Sequence, residues 1–135
     1  MPHFLLDTDI CSYAIKRKAP GLLSKIRAGL VSEEIAISAI TRGELMYGLE
    51  LVPDAKTLKL AVLAFLDYMP CLEWPVSAAE HYAKLRATQK LTGRLLGYMD
   101  TLIACHALAE NLILVTNNER DFARIPGLTI ENWAA

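Results

Sequence analysis

Short apolar runs alternate along this chain with longer stretches whose apolar residues recur at helical spacing. Residues 3–6 (HFLL) are continuously apolar from Phe4 and too short for a helix, which predicts a buried strand. EIAIS (34–38), CLEW (71–74), LILVT (112–116) and LTIENW (128–133) predict four more, LILVT most clearly. Helical patterns fill the intervals. TDICSYAIKRK sets Ile10, Tyr13 and Ala14 on one face, and APGLLSKIRAGL predicts a second helix with Pro20 near its start and Gly29 at its end. A third helix covers about residues 39–51. A fourth follows Asp54 as N-cap and stops before Pro70. VSAAEHYAKLRATQKLTG opens with Ser77 and Glu80 in capping-box spacing and closes at Gly93. MDTLIACHALAEN predicts a last long helix, ending near Asn111.

Strands alternating with helices predict an α/β fold in three layers (α/β/α), with a central, mainly parallel sheet covered on both faces. Ligands in such folds bind beyond the carboxyl ends of the strands. No repeat or linker interrupts the pattern, so residues 1–135 are expected to form one domain. A chain of this size buries roughly 65–70% of its unfolded surface and needs no disulfides. Its apolar fraction of 53% is high for a soluble domain, and the surplus predicts a subunit interface. Cys11, Cys71 and Cys105 lie in apolar runs without C-x-x-C spacing, as expected for reduced core thiols of a cytoplasmic protein. The start MPHFLLDTD is not a secretory signal, and the apolar run at 60–66 is too short to span a bilayer, so no membrane role is expected. Lys and Arg total 14 against 15 Asp and Glu, a balance that excludes no partner because placement matters more than sum. P-loop, dinucleotide and zinc spacings are absent from the sequence, and His3, His81 and His106 lack the spacing of a catalytic or ligand pair.

Several acids do not sit where surface acids sit. Asp7 ends the first predicted strand; it is either a turn residue beside a cap at Thr8 or Asp9, or a site carboxylate. Asp9 suits a first-turn position through the helix dipole. Glu44 falls on a helical face with Ile40, Tyr47 and Leu51, where a charge is costly unless partnered; a shifted phase would leave it solvated. Asp100 heads a stripe of Ile103, Ala104, Ala107 and Leu108, as a cap or as a carboxylate facing the sheet. Thr116, Asn117 and Asn118 end the clearest strand, and Asn118 and Asp121 have the spacing of an N-cap and third-position pair. A parallel sheet can gather Asp7, Glu44, Asp100 and the asparagine pair at one edge. At ~5 Å and an effective dielectric of about 20, each pair of carboxylates there costs roughly 3 kcal/mol. Protons or cations must relieve that, and basic residues nearby are few beyond Arg42 and Arg120. An all-oxygen site suits Mg²⁺ or Mn²⁺, which serve phosphodiester cleavage.

Four segments in order, LLDTDICSY, ITRGELMYG, GYMDTLIACHAL and LVTNNERDF followed by PGL, resemble the motifs of the PIN-domain family, and within it the VapC-type toxins of prokaryotic toxin–antitoxin pairs. The resemblance covers nearly the whole chain. It implies a Mg²⁺-dependent endoribonuclease, with Mn²⁺ as a substitute. It also implies a homodimer inhibited by a VapB-type antitoxin whose tail occupies the groove, in a larger toxin–antitoxin assembly. Carried over by position, Asp7, Glu44 and Asp100 match the family's metal site. Asn118 stands where many PIN domains carry a fourth acid, and the acid nearby is Asp121, so a second ion is expected only with the scissile phosphate. Asn117, Asn118 and Asp121 are then secondary site residues, and Thr8 and Thr116 hydrogen-bonding neighbours.

Two other readings of the residues compete with this one. DTD after a strand resembles the nucleophile motif of haloacid-dehalogenase-type phosphatases, although the chain is short and the expected lysine lacks a motif. A non-catalytic RNA- or protein-binding module is the other. Lys16, Arg17 and Lys18, and Arg86, Lys90 and Arg94 at helical spacing, are either phosphate contacts or solvated faces; Arg42 has the same two readings.

Overall fold

The computed structural model describes residues 2–94 and 96–135. Strands β1 (Phe4–Leu6), β2 (Ile35–Ser38), β3 (Cys71–Leu72), β4 (Ile113–Val115) and β5 (Ile130–Glu131) form one sheet in the order β3-β2-β1-β4-β5. Every neighbouring pair is parallel, as the alternation of strands and helices predicts. Helices α1 (Thr8–Ile15) and α2 (Pro20–Val31) connect β1 to β2, and α3 (Ala39–Glu50) and α4 (Lys56–Tyr68) connect β2 to β3. Helices α5 (Ala78–Thr92) and α6 (Tyr98–Ala109) lead to β4, and the short α7 (Glu119–Phe122) leads to β5.

The strands alternate their side chains between two cores, because successive residues point to opposite faces. Leu6, Ile35, Ile37 and Val115 pack with Ile10, Leu22, Ile26, Leu45, Val62 and Phe65 from α1 to α4. Leu5 and Leu114 face the other way, against Ile103, Ala104 and Ala107 of α6 and Phe122 of α7. The sheet is therefore covered on both faces, in three layers.

Local signals were met unevenly. Gly93 ends α5 at φ 71°, the left-handed conformation that glycine adopts without steric cost. Gly29 does not end its helix: α2 continues to Val31, and a Cβ at Gly29 would stand 2.5 Å from Ile35 Cγ2. The glycine is there because helix and strand approach closely. Asp54 does not cap α4, whose N-cap is Ala55, and Ser77 occupies its cap position without a side-chain hydrogen bond. Cys11 and Cys105 are buried free thiols, whereas Cys71 is exposed on an edge strand. Among the described residues no helix is long and apolar enough to cross a membrane.

Candidate active site

The strand order fixes where a site can form. The chain steps from β1 outward to β2 and β3, then returns to lay β4 and β5 on the other side of β1. The crevice beyond the carboxyl ends of β1 and β4 is thus a topological switch point, where open α/β sheets bind ligands. Asp7 follows β1 directly, and Thr116 follows β4. The Asp7 backbone N–H donates to Val115 O at 3.0 Å, which joins the two strand ends.

Asp7 is itself the N-cap of α1, a role expected of Thr8 or Asp9. Its Oδ1 accepts from Ile10 N–H at 2.8 Å, and the Thr116 hydroxyl also hydrogen-bonds its carboxylate. Asp7 is only 1% exposed. Burial pushes its carboxyl up to about 7, against the two hydrogen bonds, and the charges of Asp9 and Asp100 add to the rise. Asp100 lies in the first turn of α6, after an N-cap at Gly97. Burial, then Asp9, Glu44 and Asp121, push its carboxyl up to about 6. The chain thus brings Asp7, Glu44, Asp100 and Asp121 within electrostatic reach of one another through Asp100.

Glu44 reaches this edge by a different face from the one its apolar neighbours suggest. Thr41 and Leu45 are the buried residues of α3, while Tyr47 and Leu51 are exposed. The face with Ile40, Tyr47 and Leu51 is therefore mis-phased as a core stripe, yet Glu44 remains half-buried. The Thr8 hydroxyl donates to Glu44 Oε1 at 2.6 Å and lies 3.2 Å from the Thr41 hydroxyl. At the β4 end, Thr116 Oγ1 accepts from Asn118 N–H at 2.9 Å, and Asn118 Nδ2 donates to Asp121 Oδ2 at 3.1 Å. Asn118 takes the N-cap position of α7 without capping it through its side chain. Asn117 turns away, donating to the Tyr13 hydroxyl and accepting from Asn132 Nδ2, each at 3.2 Å.

Sequence reasoning missed Asp9 as a contributor and Thr41 altogether. Asp9 raises both Asp7 and Asp100. Thr41 precedes Glu44 by three residues, the spacing of helical neighbours, and that was the available signal. Of the basic residues, Arg86 sits over the Tyr98 ring at 4.2 Å and Lys18 lies 5.8 Å from the Tyr13 ring. His106 is buried, with Nδ1 2.8 Å from Ser38 Oγ, and ties α6 to the start of α3.

The donor chemistry fits a hard divalent cation. Asp7 and Asp100 are held up by burial and by other acids, and no lysine or arginine pulls either down. Spacing is another matter: among the described residues no three His, Cys, Asp or Glu side chains stand close enough to hold a metal ion. Carboxylates without a shared counter-ion rest apart, so coordination requires side chains to close inward.

A family model described as PIN domain matches residues 4–128. The tRNA(fMet)-specific endonuclease VapC of Salmonella typhimurium is 39% identical over 98% of this chain and 99% of its own. Ribonuclease VapC2 of Rickettsia felis is 35% identical over 96% of this chain and 97% of its own. The crystal structure of DNA-bound VapBC from Salmonella typhimurium superposes with a TM-score of 0.89 at 35% identity, covering 98% of this chain and 99% of that one.

Proposed function

Because the chain belongs to the PIN-domain family, we propose that it is a divalent-metal-dependent endoribonuclease, the toxin of a pair neutralised by a VapB-type antitoxin. In this reading residues 1–135 are one domain that acts in the cytoplasm as a homodimer, joins its antitoxin in a larger assembly, and takes Mg²⁺, with Mn²⁺ as a substitute. Exposed Met46, Tyr47, Leu51 and Val52 around the end of α3 supply apolar surface for a second copy.

Asp7, Glu44 and Asp100 would hold the ion, with Asn118 and Asp121 as secondary site residues. When bound, the cation polarises a phosphoryl oxygen and makes a bound water a nucleophile at neutral pH. The chain's own residues prepare the place. Ile10 N–H and the Thr116 hydroxyl fix Asp7, and Thr8 orients Glu44. Asn118 links Thr116 to Asp121. Without a cation the fold favours a proton on the Asp7 carboxyl near neutral pH. An aspartyl-phosphate at Asp7 is disfavoured, since it would add negative charge where Asp9 and Asp100 already repel.

The observation that carries the reading is the pair Asp7, buried, and Asp100, half-buried, which repel each other without a basic partner at the switch point. The test is cleavage of mixed cellular RNA, and of tRNA(fMet) in parallel, with Mg²⁺ or with EDTA. Cleavage that needs Mg²⁺ and disappears in Asp7→Asn and Asp100→Asn supports it; cleavage unchanged in either variant removes that residue from the mechanism.

A further inference from the structure

A second cavity opens beside the acidic centre, between α5 and the segment that follows α7. It holds about 200 Å³, room for one flat ring system rather than a drug-sized ligand. Leu96 and Ile125 give it apolar walls, and Arg94, Asp121 and Arg124 line it as well. Asp121 is the shared member, since its charge also reaches Asp100.

Gln89 is the unusual residue. It lines the cavity from α5, is 5% exposed, and its Oε1 has no hydrogen-bond partner among the described residues. Other polar groups on this face are spent: the Thr88 and Thr92 hydroxyls donate to the helix carbonyls of Lys84 and Thr88. A buried acceptor without a partner costs stability, and methionine at this position would not carry that cost. A carboxamide is also the side chain that pairs with the edge of a base. Arg94 and Arg124 offer positive charge in an otherwise acidic neighbourhood, which suits the phosphates on either side of a base.

We propose that this cavity receives one unpaired nucleobase of the RNA, a nucleotide next to the cut, with the Gln89 carboxamide on the base edge and Arg94 and Arg124 on the flanking phosphates. This rests on the ribonuclease reading and adds a specificity subsite to it. The base enters between Leu96 and Ile125, and a turn of the Gln89 carboxamide, whose Oε1 is sealed from solvent in the free chain, brings that oxygen to an N–H on the base edge.

Gln89→Met conserves volume and removes the carboxamide. Three measurements are made on the full chain: melting temperature, the map of cut ends in mixed cellular RNA, and affinity for a set of labelled single-stranded RNAs that differ in one base. The affinity is measured in the Asp100→Asn background with Mg²⁺. The proposal predicts an unchanged or higher melting temperature, roughly tenfold weaker RNA binding, and relaxed base preference at one position beside the cut. Arg124→Ala should weaken binding and lower the salt slope by about one. A lower melting temperature with the wild-type cut map makes Gln89 structural and overturns the proposal. Equal RNA affinity with and without Gln89, no binding by either, or an effect confined to inhibition by antitoxin also overturns it. Loss of binding in Gln89→Met, in a chain whose wild type does not cleave, would keep the subsite and remove the ribonuclease reading.

Discussion

Asp7 serves two purposes through one carboxylate. It caps α1 by accepting from Ile10 N–H, and it places a buried charge beside Asp9 and Asp100. Asparagine keeps the first purpose and removes the second, because it caps about as well as aspartate. Asp7→Asn should therefore melt at or above the wild-type temperature in EDTA at about pH 8, lose stabilisation by Mg²⁺, and cleave RNA about a hundredfold more slowly or worse. Calorimetry and a cleavage time course read these out. Thr8 acts one step removed, by orienting Glu44. Thr8→Val should weaken divalent-ion affinity about 10- to 100-fold in a titration, and Thr8→Ser should restore it, since outer-shell hydrogen bonds to ligands have effects of that size. Asp7 and Asp100 stood out in the sequence because one ends an apolar run and the other heads an apolar stripe, although capping is an ordinary explanation for each, and Asp7 does cap α1. Thr41, Asp9 and Gln89 were not legible. Each is an unremarkable polar residue on a helix until packing shows what it faces.

The elements were read from periodicity, and what periodicity cannot supply is close approach. Five strands follow from short apolar runs and the long helices from a period of 3.6, with ends near those expected. Gly29 looks like a stop signal in sequence, yet it lies within α2 where the helix meets Ile35. Asp54 and Ser77 have capping identities, but the chain enters α4 through Ala55, and Ser77 has helical φ and ψ with no cap bond. The face of α3 carrying Glu44 was mis-phased because Thr41 and Leu45 are its buried positions, while Tyr47 and Leu51 stand exposed. Close approach has a measurable consequence at Gly29. Gly29→Ala adds a methyl where Ile35 already sits, and overpacking of this kind costs about 1–3 kcal/mol. Its denaturant midpoint should fall with an unchanged m-value, while RNA cleavage at a permissive temperature is retained. A midpoint at or above wild type would mean that α2 and β2 separate more readily than their packing indicates.

At the scale of the molecule, sheet order and electrostatics converge. A parallel sheet that reverses between β1 and β4 brings acids from α1, α3 and α6 within electrostatic reach at one edge, where burial and mutual repulsion raise Asp7 and Asp100. This links stability to pH with a definite sign. Asp7 is raised from 3.8 to about 7 and Asp100 to about 6, so the folded state prefers both protonated. Their contribution is fully present below about pH 4 and is lost as pH rises through 6 and 7. In EDTA the protein should lose stability over that interval, and added Mg²⁺ should raise the melting temperature more at about pH 8 than at about pH 5. In the proposed site this repulsion would keep Asp7, Glu44 and Asp100 apart until a cation neutralises it. The most direct measurement is anomalous diffraction from crystals grown with Mn²⁺. The account predicts a peak bonded to carboxylate oxygens of Asp7, Glu44 and Asp100; a peak elsewhere, or none at this crevice at neutral pH, would contradict it.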